Sequence, residues 1–332
     1  MLFHPAIMAL LLADGVMLLL LVPAAVFAVD LLRHWDLRSG SARQLRLERR
    51  TQLVATLLGF IFLTQLLALL LLVFTADALA VQFVGAMCAV GSFNVNGYGF
   101  PTLYLKLALF FGAAGWLFMN HVDNRAPDFP LVRVKYGLLL LITPLALAAA
   151  LVELNYFVHL RADVITSCCG TLFGDTGTSV AGDLSAWPPL PAMAGFYGFM
   201  ALLLVAGVTA LRYRRAVPLF SALGVLAFPG GIAAVVSFAS LYIYEHPHHH
   251  CPFCLLKAEY SWVGYALYLP LFAASALSFG LAITAPAARA ASLVPVMGRV
   301  APRVVAWASG LFVLFTLLVL WFSWHSRLVL LE

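Results

Sequence analysis

Charged side chains are scarce in this chain. They make up 10% of its 332 residues against 64% that are hydrophobic, which excludes a soluble domain built around one core. Low-complexity tracts are missing, and so is any long polar stretch, so a single integral membrane domain spanning 1–332 is expected. No histidine follows the second cysteine of the Cys-x-x-Cys motif, where Leu255 stands, which rules out covalent c-type haem. Nor does a histidine lie near the middle of any apolar run. Buried haem b is therefore disfavoured, while haem at an outer edge through His4, His159 or His246 stays open.

What the chain has in abundance is apolar sequence. Runs long enough to cross a hydrocarbon core of about 20 residues occur at 5–29, 53–75, 101–119, 136–158, 192–211, 217–242, 255–283 and 304–323. The fold class expected is all-α, a polytopic helical protein of eight spans in contact with lipid. Pro144, Pro229 with Gly230 and Gly231, and Pro270 fall inside spans and predict kinks. Spans one to four and five to eight share an orientation, so a four-plus-four repeat (1–158 and 190–332, around an outer loop 159–191) fits the pattern. A cleaved leader is the competing reading of the first thirty residues. It is disfavoured because no basic stretch precedes the apolar run.

The basic residues set an orientation, since Lys and Arg in short loops stay on the cytoplasmic side. Fifteen of the nineteen fall in alternate segments, among them Arg33 to Arg50, Arg125 to Lys135, Arg212 to Arg215 and Arg289 to Arg303. Both termini and the loops 76–100, 159–191 and 243–254 are then expected outside a cell (inner) membrane, on a periplasmic or extracytoplasmic face. All five cysteines and seven of nine histidines go with them. The net charge of +5 is a topology signal and gives no reason to expect nucleic acid.

The sharpest motif is His248-His249-His250-Cys251-Pro252-Phe253-Cys254, leading into span seven. Proline after the first cysteine suits the first turn of a helix, which would place Cys251 near an N-cap where its thiolate is stabilised. The spacing also suits half of a metal site, to which His248, His249, His250 and Cys88 would add donors for copper or zinc, with Met87 a thioether. A static disulfide is the third reading. Adjacent Cys168 and Cys169 close only a strained ring, so each is expected to pair elsewhere, and exchange with Cys251 or Cys254 would make a relay. Charged residues within spans need partners in lipid, and Asp14, Lys106 and Glu153 are such residues. Matching depths predict a Lys106–Glu153 pair, and Asp14, Asp77 and Glu259 could complete a polar pocket for a quinone head group.

Cys251-Pro-Phe-Cys254-Leu-Leu at the start of a transmembrane helix, with a second cysteine pair in an outer loop, resembles quinone-linked membrane thiol oxidoreductases. These are the bacterial disulfide-generating membrane enzymes and the vitamin K epoxide reductase family. The resemblance implies that Cys251 and Cys254 face quinone, and that Cys168 with Cys169 exchange with a thioredoxin-like periplasmic partner. It departs in having eight spans instead of a four-helix core, in the adjacency of Cys168 and Cys169, and in the extra Cys88. The expectation carried forward is a thiol–disulfide oxidoreductase. A copper- or zinc-binding membrane protein and a non-catalytic subunit with structural disulfides are the alternatives.

Overall fold

The computed structural model describes residues 2–36, 39–166, 180–185, 187–287 and 290–328. Among these the chain is mainly helical, with eight helices long and apolar enough to cross a membrane: Pro5–His34, Ala42–Gln82, Gly99–Asp123, Val132–Val158, Pro189–Arg212, Arg214–Tyr244, Val263–Thr284 and Leu293–His325. The protein is a multi-pass, all-α membrane protein. In chain order the α-helices are α1 (Pro5–His34), α2 (Ala42–Leu79), α3 (Ala89–Phe93), α4 (Gly99–Asp123), α5 (Val132–Val158), α6 (Val180–Ser185), α7 (Pro189–Arg212), α8 (Val217–Ala234), α9 (Ser240–Tyr244), α10 (Val263–Thr284) and α11 (Leu293–His325).

Proline in the first turn of α1, α7 and α8 costs nothing there, because the missing N–H has no intrahelical partner. The helix continues through Pro229 of α8 and changes to a π-turn at Val235–Ala239, directly before α9. Several helices outrun their apolar stretches. Arg43, Arg46, Arg49 and Arg50 lie inside α2, and Arg299 and Arg303 inside α11, where loops were expected. An apolar run marks what meets lipid, whereas a helix carries on through good helix formers such as Arg and Leu.

The chain divides into two compact units. The first comprises Met1–Thr75, Val95–Arg161 and Ile283–Val300, and the second Ala76–Asn94, Ala162–Ala282 and Ala301–Glu332. In the first unit Met17, Leu21, Phe62, Leu109, Trp116, Tyr136 and Leu139 are buried together. Phe62 and Trp116 hold ring centroids 5.2 Å apart, which adds an aromatic contact to the area they bury. Leu12, Leu19 and Val26 recur every seventh residue on α1 and are about 70% exposed, the apolar stripe a lipid-facing helix requires. Buried ion pairs interrupt this apolar packing. Lys135 Nζ lies 2.6 Å from Asp123 Oδ2, and Asp123 Oδ1 accepts the Leu131 amide at 2.8 Å. The turn between α4 and α5 is thereby pinned from both sides. Lys135, assigned to a loop by its charge, is in fact buried in the first turn of α5.

In the second unit small residues set how closely side chains approach helix backbones. A Cβ on Gly224 would fall 2.2 Å from Ser278 Oγ, and one on Gly231 would fall 2.8 Å from Leu271. Leu202, Val205 and Val208 of α7 are exposed, again an apolar exterior.

Candidate metal-binding site

Cys88 is carried by the segment between α2 and α4. A short 3-10 turn, Ala80–Gln82, follows α2, and the chain then reverses at Gly85, whose φ of +85° is strained for any residue with a Cβ. A Cβ there would also sit 2.2 Å from the Thr166 carbonyl oxygen. This close approach lets Val84 pair with Ile165, lets the Thr166 amide donate to the Val84 carbonyl, and lets the Thr166 hydroxyl donate to the Gly91 carbonyl. Cys88 caps α3 in an extended conformation, and Asp77 accepts the Ala89 amide at 3.2 Å.

Cys251 and Cys254 lie in the connection between α9 and α10, which backbone contacts hold in one shape. Tyr244 Oη donates to the Cys251 carbonyl and Tyr268 Oη to the Pro252 carbonyl, both at 2.6 Å. Lys257 Nζ donates to the Met87 carbonyl at 2.8 Å, tying this connection to the residue before Cys88. The rings of Phe93 and Phe253 meet edge to face at 6.1 Å.

These contacts bring three sulfur atoms together. Cys88 Sγ and Cys251 Sγ are 3.6 Å apart, and the Sγ atoms of Cys88, Cys251 and Cys254 all lie within 4.8 Å of one another. All three residues are buried. Magnitudes decide what the spacing suits. A disulfide needs about 2.05 Å between sulfurs. With metal–sulfur bonds of about 2.3 Å, two thiolates on one ion stand about 4.0 Å apart in a trigonal plane and about 3.8 Å apart in a tetrahedron.

Two expectations about Cys251 are corrected here. It is not at the N-cap of span seven, because α10 begins only at Val263. Between them come two 3-10 turns, Cys254–Leu256 and Ala258–Tyr260, and a left-handed reversal at Ser261 and Trp262. Leu255 and Leu256 are apolar because they are buried in this connection, and not because they open the helix. Nor is the thiolate stabilised. The hydrogen bond with the Cys254 side chain, helped by burial, holds the Cys251 thiol well above the ordinary cysteine range, and the contact with Cys88 only partly opposes this. A protonated, buried thiol is a poor nucleophile toward a soluble partner, whereas a metal ion displaces the proton when it binds.

The histidines are placed elsewhere. His250 Nδ1 lies 2.8 Å from the Val236 carbonyl oxygen, His249 stacks on Tyr244 at 4.0 Å, and His248 is exposed. Burial lowers the His249 pKa below its usual value. Among the described residues the converging donor group is sulfur alone, and Met87 is exposed. Cys168 and Cys169 lie outside the described residues.

Within the first unit, Asp14, Lys106 and Glu153 do meet. Lys106 Nζ is 2.6 Å from Asp14 Oδ1 and 2.5 Å from Glu153 Oε2, and Gln65 Nε2 donates to Asp14 Oδ1 at 3.2 Å. Asp77 and Glu259 belong to the second unit, where Asp77 accepts the Ala89 amide and the Glu259 side chain is 67% exposed, 3.8 Å from Lys257 Nζ. Comparison with known protein families, curated proteins and solved structures finds no match.

Proposed function

We propose that this membrane protein binds a thiophilic metal ion, copper(I) or zinc(II), through Cys88, Cys251 and Cys254. The observation that carries the reading is the convergence of three buried sulfurs, two of them 163 positions apart in sequence, at separations a single ion bridges. Thiolates favour these ions over the hard cations, and a buried, water-poor setting strengthens each bond. Three sulfurs satisfy copper(I) in a plane. Zinc would take a fourth donor, for which Cys168 and Cys169 are candidates from the sequence. Protein purified without chelator or reductant is expected to carry about one copper or zinc per chain, by elemental analysis. A metal-free protein that also fails to take up either ion when it is supplied would sink the reading.

A second reading rests on the 3.6 Å contact of Cys88 with Cys251 beside Cys254. In a thiol–disulfide relay, oxidation of the Cys251/Cys254 dithiol to a disulfide releases two electrons and two protons, the quantity that reduces a quinone to a quinol. Cys168 or Cys169 would then exchange with a thioredoxin-like partner. A thiol map of the same sample separates the two: a disulfide joining any of Cys88, Cys251 and Cys254 in metal-free protein favours the relay.

The distribution of basic residues supports placing the sulfur cluster on the extracytoplasmic side. In intact cells, a cysteine at Arg46→Cys or Arg214→Cys, in a background lacking the native cysteines, is expected to resist an impermeant maleimide until the membrane is permeabilised. Labelling of both without permeabilisation would reverse the topology.

A further inference from the structure

The Asp14–Lys106–Glu153 cluster has an imbalance that its ion pairs do not remove. Two carboxylates face one ammonium, so with all three groups ionised the site carries one uncompensated negative charge. All three residues are buried, at 3%, 1% and 0% relative exposure. An unpaired charge in such a setting costs several kcal/mol by order of magnitude, and a membrane domain cannot dilute it into solvent. The groups on the packed elements are Asp14 from α1, neutral Gln65 from α2, Lys106 from α4, and Glu153 with Tyr156 from α5. None of these supplies a second cation.

The hydrogen bonds show the same deficit independently. Among the described residues, Asp14 Oδ2, Gln65 Oε1 and Glu153 Oε1 are buried acceptors with no hydrogen-bond partner. Lys106 is directed at Asp14 Oδ1 and Glu153 Oε2, and the Gln65 amide at Asp14 Oδ1, so among the described residues no donor reaches these three oxygens. Asp14 Oδ1 and Glu153 Oε2 both touch Lys106 Nζ, at 2.6 Å and 2.5 Å, so the two carboxyls face each other across one ammonium. One proton placed between them cancels the excess charge and partners an acceptor in a single step.

We propose that Asp14 and Glu153 hold one shared, exchangeable proton, making this cluster a protonation site inside the membrane domain of the kind that proton-coupled carriers use. The site is independent of the sulfur cluster and stands whether or not that cluster binds metal. Lys106 sets its occupancy: the ammonium compensates one carboxylate, and the proton compensates the other.

Infrared spectroscopy reads the proton directly. Wild-type protein at neutral pH is expected to show the carbonyl stretch of one protonated carboxyl per chain, moving on transfer to D2O. Asp14→Asn and Glu153→Gln should each abolish that band, because the remaining carboxylate and Lys106 then balance without a proton. A wild-type spectrum with no protonated carboxyl at neutral pH overturns the proposal, and this measurement needs no variant to fold. A band that survives both substitutions overturns it as well. A purely structural ion pair would move thermal stability in these variants and leave no such band to lose.

Discussion

Lys106→Met is expected to be the most destabilising single substitution in the first unit, by about 3–5 kcal/mol, the cost of breaking a buried ion pair and leaving its partner charges behind. Lys106 is 1% exposed, and its ammonium touches two carboxylates that pair with no other cation among the described residues. Methionine fills the space of the alkyl stem and removes only the charge, so the loss is electrostatic and not a cavity effect. Protonation of both carboxyls would recover part of it. The control is the triple variant Asp14→Leu, Lys106→Met, Glu153→Leu, in which no charge remains; it should regain most of the stability lost by the single change. Thermal unfolding in detergent, followed by circular dichroism, measures both. If Lys106→Met unfolds within a degree or two of wild type, the cluster is not the buried, interdependent charge set described.

Cys88→Ser is expected to lower metal affinity by more than roughly a hundredfold, because loss of a supporting outer-shell contact alone typically costs 10- to 100-fold, and here a direct donor is removed. Serine is nearly isosteric, but its hydroxyl is a hard and reluctantly ionised donor, so the fold is kept while the sulfur set drops from three to two. Cys251→Ser and Cys254→Ser should behave alike, since in the proposed site each of the three converging sulfurs is a direct donor to the ion. Competition with a chromogenic chelator gives the affinity. Unchanged binding in Cys88→Ser would remove Cys88 from the site. It would leave Cys251 and Cys254 as an isolated pair, better suited to disulfide exchange.

The sequence offered Cys88 as one of several donors to a site with Cys251 and Cys254, but not its direct contact with Cys251, because 163 residues separate them and neither flanking motif names the other. The usable signal was indirect: an odd cysteine in a segment rich in glycine and asparagine. Gly85 proved to be the pivot, through a positive φ and an approach to Thr166 that admits no side chain. The histidine run misled for a related reason. Three adjacent histidines point in different directions once the backbone turns, so His250 meets the Val236 carbonyl and His249 the Tyr244 ring, while the sulfurs converge without them. The start of span seven was misplaced because Leu255 and Leu256 satisfy burial in a loop as readily as in a helix, and periodicity cannot tell these apart over so short a run. The Lys106–Glu153 pair was legible, since two opposite charges at equal depth in apolar helices have few ways to avoid each other.

Composition and the placing of apolar runs were enough to make this chain a polytopic helical membrane protein and to count its eight spans, because a hydrocarbon core imposes helix, length and apolarity on any sequence that crosses it. Which polar side chains share a site is not a property of any local stretch. Asp14, Gln65, Lys106 and Glu153 come from four helices, and Cys88 joins Cys251 and Cys254 from a distant loop. Those neighbourhoods are fixed by how helices and loops pack, through contacts that sequence spacing does not encode.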